Sequence, residues 1–202
     1  MAVQLTQEEK TYVLQNIKPL LQKGDVRKVI NLLINDTFEQ GVHSKNVLVW
    51  LIEHKVDILG QMDKIPDNMF DDTDISMLKV PESIKYIGDR AFANCQHLTS
   101  VTLPDGLLDI GTEAFLNSSI AKIDIPEGIE VLTTGTFRNC KNLSTVFLPD
   151  SLTLMQAGVF DGAYDGMTIY LNSRKGMPTY AQLRIPTSES DWYKKHVQIK
   201  TA

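Results

Sequence analysis

Five phenylalanines, Phe70, Phe92, Phe115, Phe137 and Phe160, follow one another at intervals of 22, 23, 22 and 23 residues. No other feature restricts the fold of the chain as strongly, because a fixed period of this length means stacked repeats. Pro81, Pro104, Pro126 and Pro149 keep the same beat. Ahead of each proline lies an apolar, any, apolar triplet: Leu78-Lys79-Val80, Val101-Thr102-Leu103, Ile123-Asp124-Ile125 and Val146-Phe147-Leu148, with Ile169-Tyr170-Leu171 closing the series. Alternation with a period of two predicts a short strand at each triplet, its outer residues on one face. One such unit cannot bury its apolar edge alone, so the units must stack, and at least about three are needed for a core.

Three residues before each triplet stands a further apolar residue, Ile75, Leu98, Ile120 or Leu143. The resulting L-x-x-V-x-L is the signature of a leucine-rich repeat. Between proline and phenylalanine come Ile84, Ile87 and Ala91, and again Leu107, Ile110 and Ala114, all expected to face the core. Asn94-Cys95, Asn117-Ser118 and Asn139-Cys140 follow, with the amide side chain expected to satisfy the backbone of adjacent turns. The whole unit, I-P-x-x-I-x-x-I-G-x-x-A-F-x-N-C-x-x-L-x-x-V-x-L-P, resembles the BspA-like leucine-rich-repeat family over about residues 65–171. The resemblance implies a solenoid of short parallel strands, and family members are often bacterial surface or secreted proteins. Departures from the unit are Pro66 for the glycine, Thr136 and Val159 for Ala91, and Gly162-Ala163 for Asn-Cys.

A solenoid needs its two apolar ends covered. Thr6 and Glu9 make a capping box, and Tyr12, Val13, Ile17, Leu20 and Leu21 follow at helical spacing, with a kink expected at Pro19. Gly24 ends that helix, Asp25 caps a second carrying Val26, Val29, Ile30, Leu33 and Ile34, and a third is expected from Val47 to Ile58. Trp50 reads as a packing anchor to the first repeat. At the other end, Leu183-Arg184-Ile185-Pro186 repeats the strand-then-proline pattern, and Ser188 to His196, with Trp192 and Tyr193, is a helical candidate to close the stack. The fold class is therefore α+β. A small three-helix N-terminal domain or cap occupies residues 1–62, the leucine-rich-repeat solenoid residues 63–171, and an abbreviated last repeat with its cap residues 172–202.

Charge follows the same division. Residues 1–62 hold seven basic against seven acidic side chains, residues 63–171 seven against sixteen, and residues 172–202 six against two. An acidic middle argues against wrapping nucleic acid. The start MAVQLTQEEK lacks a basic region followed by an apolar core, and no apolar run approaches 18 residues, so a cytoplasmic protein without a membrane relation is expected. Cys95 and Cys140 share one repeat position two turns apart, too distant for a disulfide, and read as buried inert thiols rather than a reactive pair. The four histidines are scattered, and the aspartates between Asp63 and Asp74 lack the glycine and terminal glutamate of a calcium loop. No nucleophile elbow, phosphate loop or dinucleotide fingerprint occurs, so neither catalysis nor a cofactor or metal is expected.

What remains is a surface. The middle residues of the triplets, Lys79, Thr102, Asp124, Phe147 and Tyr170, with Arg184 as a candidate continuation, should form a ladder on the solvent face of the sheet. Beside them Glu82, Asp105, Glu127 and Asp150, each following a proline, make an acidic edge. Exposed aromatics with a polar rim mark protein interaction sites, and an acidic edge calls for a partner with basic rim residues. The expected function is a non-enzymatic protein-binding module, with an inhibitor or adaptor of bacterial or phage origin as its setting. Two alternatives stand beside it: a nucleic-acid-binding regulator using the N-terminal helices, and a homo-oligomer in which the basic tail docks on the acidic edge. A third possibility at the aromatic end is that residues 174–180 cover Phe147 and Tyr170.

Overall fold

The computed structural model describes residues 4–35, 44–171 and 197–198. The chain opens with three helices. Helix α1, Gln7–Tyr12, starts at Thr6, whose hydroxyl accepts from Glu9 N while Glu9 Oε2 accepts from Thr6 N at 2.8 Å, the expected capping box. Glu9 is wholly buried, and its second oxygen accepts from Asn46 Nδ2 at 3.2 Å, which ties the first helix to the last. Pro19 can neither donate to the carbonyl four residues back nor fit its ring against it. The chain responds by widening into a π turn over Val13–Ile17 before resuming as α2, Lys18–Gln22. Gly24, at φ +75°, then stops the helix: its N–H donates to Leu21 O and Asp25 N–H to Leu20 O, the double bond of a Schellman ending.

Helix α3 runs over Val26–Asn35 with Val29, Ile30 and Leu33 buried, and α4 over Ser44–Glu53. The expected helix to Ile58 is therefore too long. Lys55 adopts φ +60°, and Lys55 N–H to Ile52 O with Val56 N–H to Leu51 O form a second Schellman ending, built on a lysine that gives no stop signal in sequence. Trp50 is partly buried and stacks on His54 at 4.0 Å. Lys45 Nζ reaches the first repeat, donating to Asp71 O at 2.6 Å, and one buried apolar cluster runs from Leu5 to Leu171. The boundary near residue 62 is thus a change of architecture within a shared core.

Each repeat supplies one strand to a main sheet: β2 Met77–Lys79, β4 Ser100–Thr102, β6 Lys122–Asp124, β8 Thr145–Leu148 and β10 Thr168–Leu171, all parallel. On the next side of the solenoid two-residue strands pair likewise, β1 Lys64–Ile65 with β3 Tyr86–Ile87 and β5 Asp109–Ile110, and β7 Val131–Leu132 with β9 Leu154–Met155. A sixth strand of the main sheet, β11 Val197–Gln198, pairs with β10 in the register Tyr170↔Gln198. The ladder position beside Tyr170 therefore falls to Gln198, and the candidate continuation Arg184 lies outside the described residues. The expected strand at 183–185 and helix at 188–196 lie outside the described residues.

Behind the sheet the five phenylalanines stack in one buried line, with successive ring centroids 5.1, 5.2, 5.5 and 5.6 Å apart and planes within 10° of parallel. The main chain follows the same line, each phenylalanine N–H up to Phe137 donating to a carbonyl of the next turn, as Phe115 does to Thr136 O at 2.9 Å. Two residues before and after each phenylalanine the backbone takes positive φ, at Arg90 and Asn94, Glu113 and Asn117, Gly135 and Asn139. That explains the asparagines, which tolerate this region better than other residues with a side chain. Their amides do not cap the backbone as expected. Asn117 Nδ2 donates to Asn94 Oδ1 and Asn94 Nδ2 to Asp71 Oδ1, a side-chain ladder.

The cysteines share the register of Thr73 and Ser118. Cys95 Sγ donates to Phe70 O at 3.0 Å and Cys140 Sγ to Phe115 O at 3.1 Å, so each buried thiol adds a second donor to a carbonyl that already accepts, from Thr73 Oγ1 and from Ser118 N–H respectively. Both are free, and burial pushes each up to about 11, where the reactive thiolate is scarce at neutral pH.

Candidate interaction face of the sheet

The strands of the main sheet bury every second residue and turn the others outward. In β2, β4 and β6 the central residue is buried and its two neighbours are exposed, because side chains leave a strand alternately to either face. The register places Lys79 opposite Thr102, Asp124 opposite Phe147 and Phe147 opposite Tyr170, so the expected ladder lies on one solvent face. A second column, which the sequence reading missed, stands beside it: Met77, Ser100, Lys122, Thr145 and Thr168. The same period-two alternation carried one step toward the N-terminus would have found it. Met77 is 71% exposed, the most exposed large apolar residue described.

Phe147 and Tyr170 are half-buried and stack on each other with centroids 5.0 Å apart. Lys122, from the second column, places its ammonium 4.9 Å from the Phe147 centroid, a cation–π contact that covers part of the ring. The aromatic end of the face is thus a preorganised cluster. The segment 174–180, expected as an alternative cover for it, lies outside the described residues.

The acidic edge is chemically uneven. Glu82 and Asp105 are exposed, but Glu127 accepts from the backbone N–H groups of Asp150 and Ser151 at 3.1 and 3.3 Å and so helps hold the next turn. Asp150 is partly buried. Asp124, between the ladder and the edge, has its carboxyl pushed above the ordinary carboxylate range by burial; Lys122 opposes the shift and Asp105 adds to it. Among the described residues no cluster of three metal-ligating side chains occurs, and no helix is long and apolar enough to cross a membrane.

A solenoid of parallel strands, one per 22–23 residues, with a phenylalanine spine behind the sheet, defines a leucine-rich-repeat protein. The chain belongs to the BspA type leucine rich repeat region family, whose six-copy pattern matches residues 63–177. No curated protein matches it. Among solved structures it is similar to the pneumococcal vaccine antigen PcpA, at 18% identity and TM-score 0.55 over 71% of this chain and 40% of that one. It is also similar to a Treponema pallidum leucine rich repeat protein, TpLRR, at 26% identity and TM-score 0.48 over 55% of this chain and 51% of that one. A Bacteroides ovatus leucine-rich repeat protein aligns at 24% identity and TM-score 0.42, over 64% of this chain and 42% of its own. The chain thus spans about half or less of the length of each.

Proposed function

We propose that the chain is a non-enzymatic protein-binding module that engages its partner through the exposed sheet face and the acidic edge beside it. The observation that carries this reading is the row of residues from Lys79 to Tyr170 on one solvent face of the sheet, with a stacked aromatic pair at one end. Partly exposed aromatics held in place lose little freedom on binding, which is why such residues become hot spots. The family supports an interaction role, since its repeats present extended surfaces. An inhibitor or adaptor of bacterial or phage origin, acting in a cytoplasm, is the setting we favour, and two free, buried thiols suit a reducing compartment.

Affinity capture from the native cytoplasm tests it, comparing the wild type with a Phe147→Ala, Tyr170→Ala double variant. A partner retained by the first and lost by the second supports the reading. If the double variant holds the partner while deletion of residues 1–60 releases it from still-folded repeats, the binding site is in the helices and the reading fails.

A further inference from the structure

The main sheet is continuous except at one junction. The β2–β4 and β6–β8 ladders each pair three residues and β8–β10 four, but β4 and β6 pair only at Ser100↔Lys122. Beyond that pair the strands part. Val80 N–H donates to Thr102 O and Ile125 N–H to Phe147 O, yet the equivalent Leu103 N–H finds no acceptor on Asp124 among the described residues. Leu103 is accordingly only partly buried, whereas Val80, Ile125 and Leu148 in the same register are buried. The second set of strands breaks at the same place, since β5 does not pair with β7.

Two departures from the repeat meet there. The turn feeding β6 is one residue short, with Ser118 and Ile120 two apart where Cys95 and Leu98, or Cys140 and Leu143, are three apart. Thr133 also stands where Gly88 and Gly111 approach the preceding turn so closely that a Cβ on Gly111 would lie 2.6 Å from Asp89 N. Thr133 cannot copy that approach. Its hydroxyl bridges to Ile110 O at 3.0 Å instead, and the turns stand apart.

The parting opens a cavity of about 560 Å³ on the solvent face, within the roughly 300–1,000 Å³ typical of ligand sites. Asp105, Asp124 and Glu127 line it, with Leu103 and Pro126 as apolar wall, and Lys122 is the one cation among its lining residues. The Lys122 ammonium lies against the Phe147 ring and stays charged beside Asp124, and Glu127 is bonded to the next turn, so the recess sets three carboxylates against one cation and adds the unpaired Asp124 carbonyl.

We propose that this recess takes an arginine side chain of the protein partner, its stem against Leu103 and Pro126 and its guanidinium between Asp105 and Asp124. The proposal rests on the protein-binding reading of the same face and adds the chemistry it selects. Charge complementarity excludes an acidic occupant. A planar guanidinium, more weakly hydrated than an ammonium, can bridge two carboxylates, or a carboxylate and a main-chain carbonyl, as a point charge cannot. Neither the Asp105 nor the Asp124 carboxylate accepts a hydrogen bond from a described residue, so both keep acceptor capacity for a partner.

The test is selection of linear peptides from a random display library on the full chain, followed by affinity measurement on the enriched peptides. They should share an arginine whose replacement by citrulline, which keeps the shape and removes the charge, weakens binding about tenfold or more. Asp105→Asn with Asp124→Asn, isosteric and with unchanged melting, should weaken it comparably, and Lys122→Gln should tighten it. Enrichment without arginine, or aspartate variants that bind as wild type, overturns the proposal. If Phe147→Ala still releases those peptides, the sheet-face reading survives and only the recess falls; if it does not, both fall.

Discussion

At the junction between the turns that carry β4 and β6, the two sides of the solenoid behave oppositely. On the phenylalanine side the stack passes through unbroken: Phe92, Phe115 and Phe137 keep spacings of 5.2 and 5.5 Å, and Phe115 N–H still reaches Thr136 O. On the sheet side the ladder opens after one pair. The difference teaches where the fold holds itself together. Buried aromatic rings and the main-chain bonds beside them fix the spacing of the turns, which leaves the solvent face free to depart from regular pairing without unstacking the rest. Stability is thus placed on one side of the repeat, and the recognition we propose on the other.

The largest effect should come from the spine. Phe115→Ala removes a wholly buried ring at its centre and should cost about 3–5 kcal/mol, a large share of a typical domain's stability. Thermal or urea unfolding measures it, and a midpoint unchanged within error would break the comparison at its stronger half.

The next concerns the thiols behind the spine. Folded Cys95 and Cys140 are raised to about 11 from an ordinary 9.0, so the folded chain holds those protons more tightly than the unfolded one. Their contribution to stability is complete below about pH 9 and is lost as pH climbs toward about 11. Unfolding measured at both ends of that window should show a fall in the wild type that is smaller in a Cys95→Ser, Cys140→Ser variant. Equal falls would place the cause elsewhere.

On the sheet side, the expected difference is in exchange rather than in stability. Leu103 N–H should exchange with solvent deuterium much faster than Val80 or Ile125 N–H, whose acceptors are in place. Equal protection at all three would close the split. The smallest effect is expected at the recess itself: Asp105→Asn with Asp124→Asn should move stability by no more than about 0.5 kcal/mol, as for exposed positions without partners. A large loss there would mean that these carboxylates hold the fold and are not reserved for a partner.

Much of this was legible in the sequence because a repeat states each environment several times over. The phenylalanine interval predicts the spine, the apolar triplets predict the strands, and alternation predicts the face on which Lys79 to Tyr170 stand, all of which the structure shows, with the pairing broken between Thr102 and Asp124. Single-copy features were harder to read. The end of α4 depends on Lys55 taking a left-handed conformation that its side chain does not announce, and the place beside Tyr170 goes to a strand that lacks the proline signature.

What the sequence by itself determined is the period, the identity of the buried residues and the face on which the ladder stands, since these follow from local spacing and the alternation of a strand. Only the tertiary structure decided where neighbouring turns stay in contact. The missing residue before Ile120 and the threonine at position 133 are visible in the sequence as small irregularities. Whether they break the spine, the sheet or neither depends on the balance between ring stacking and ladder pairing at one junction. Here the rings held and the ladder gave way, because a buried aromatic loses more by moving than an exposed backbone pair that water can replace.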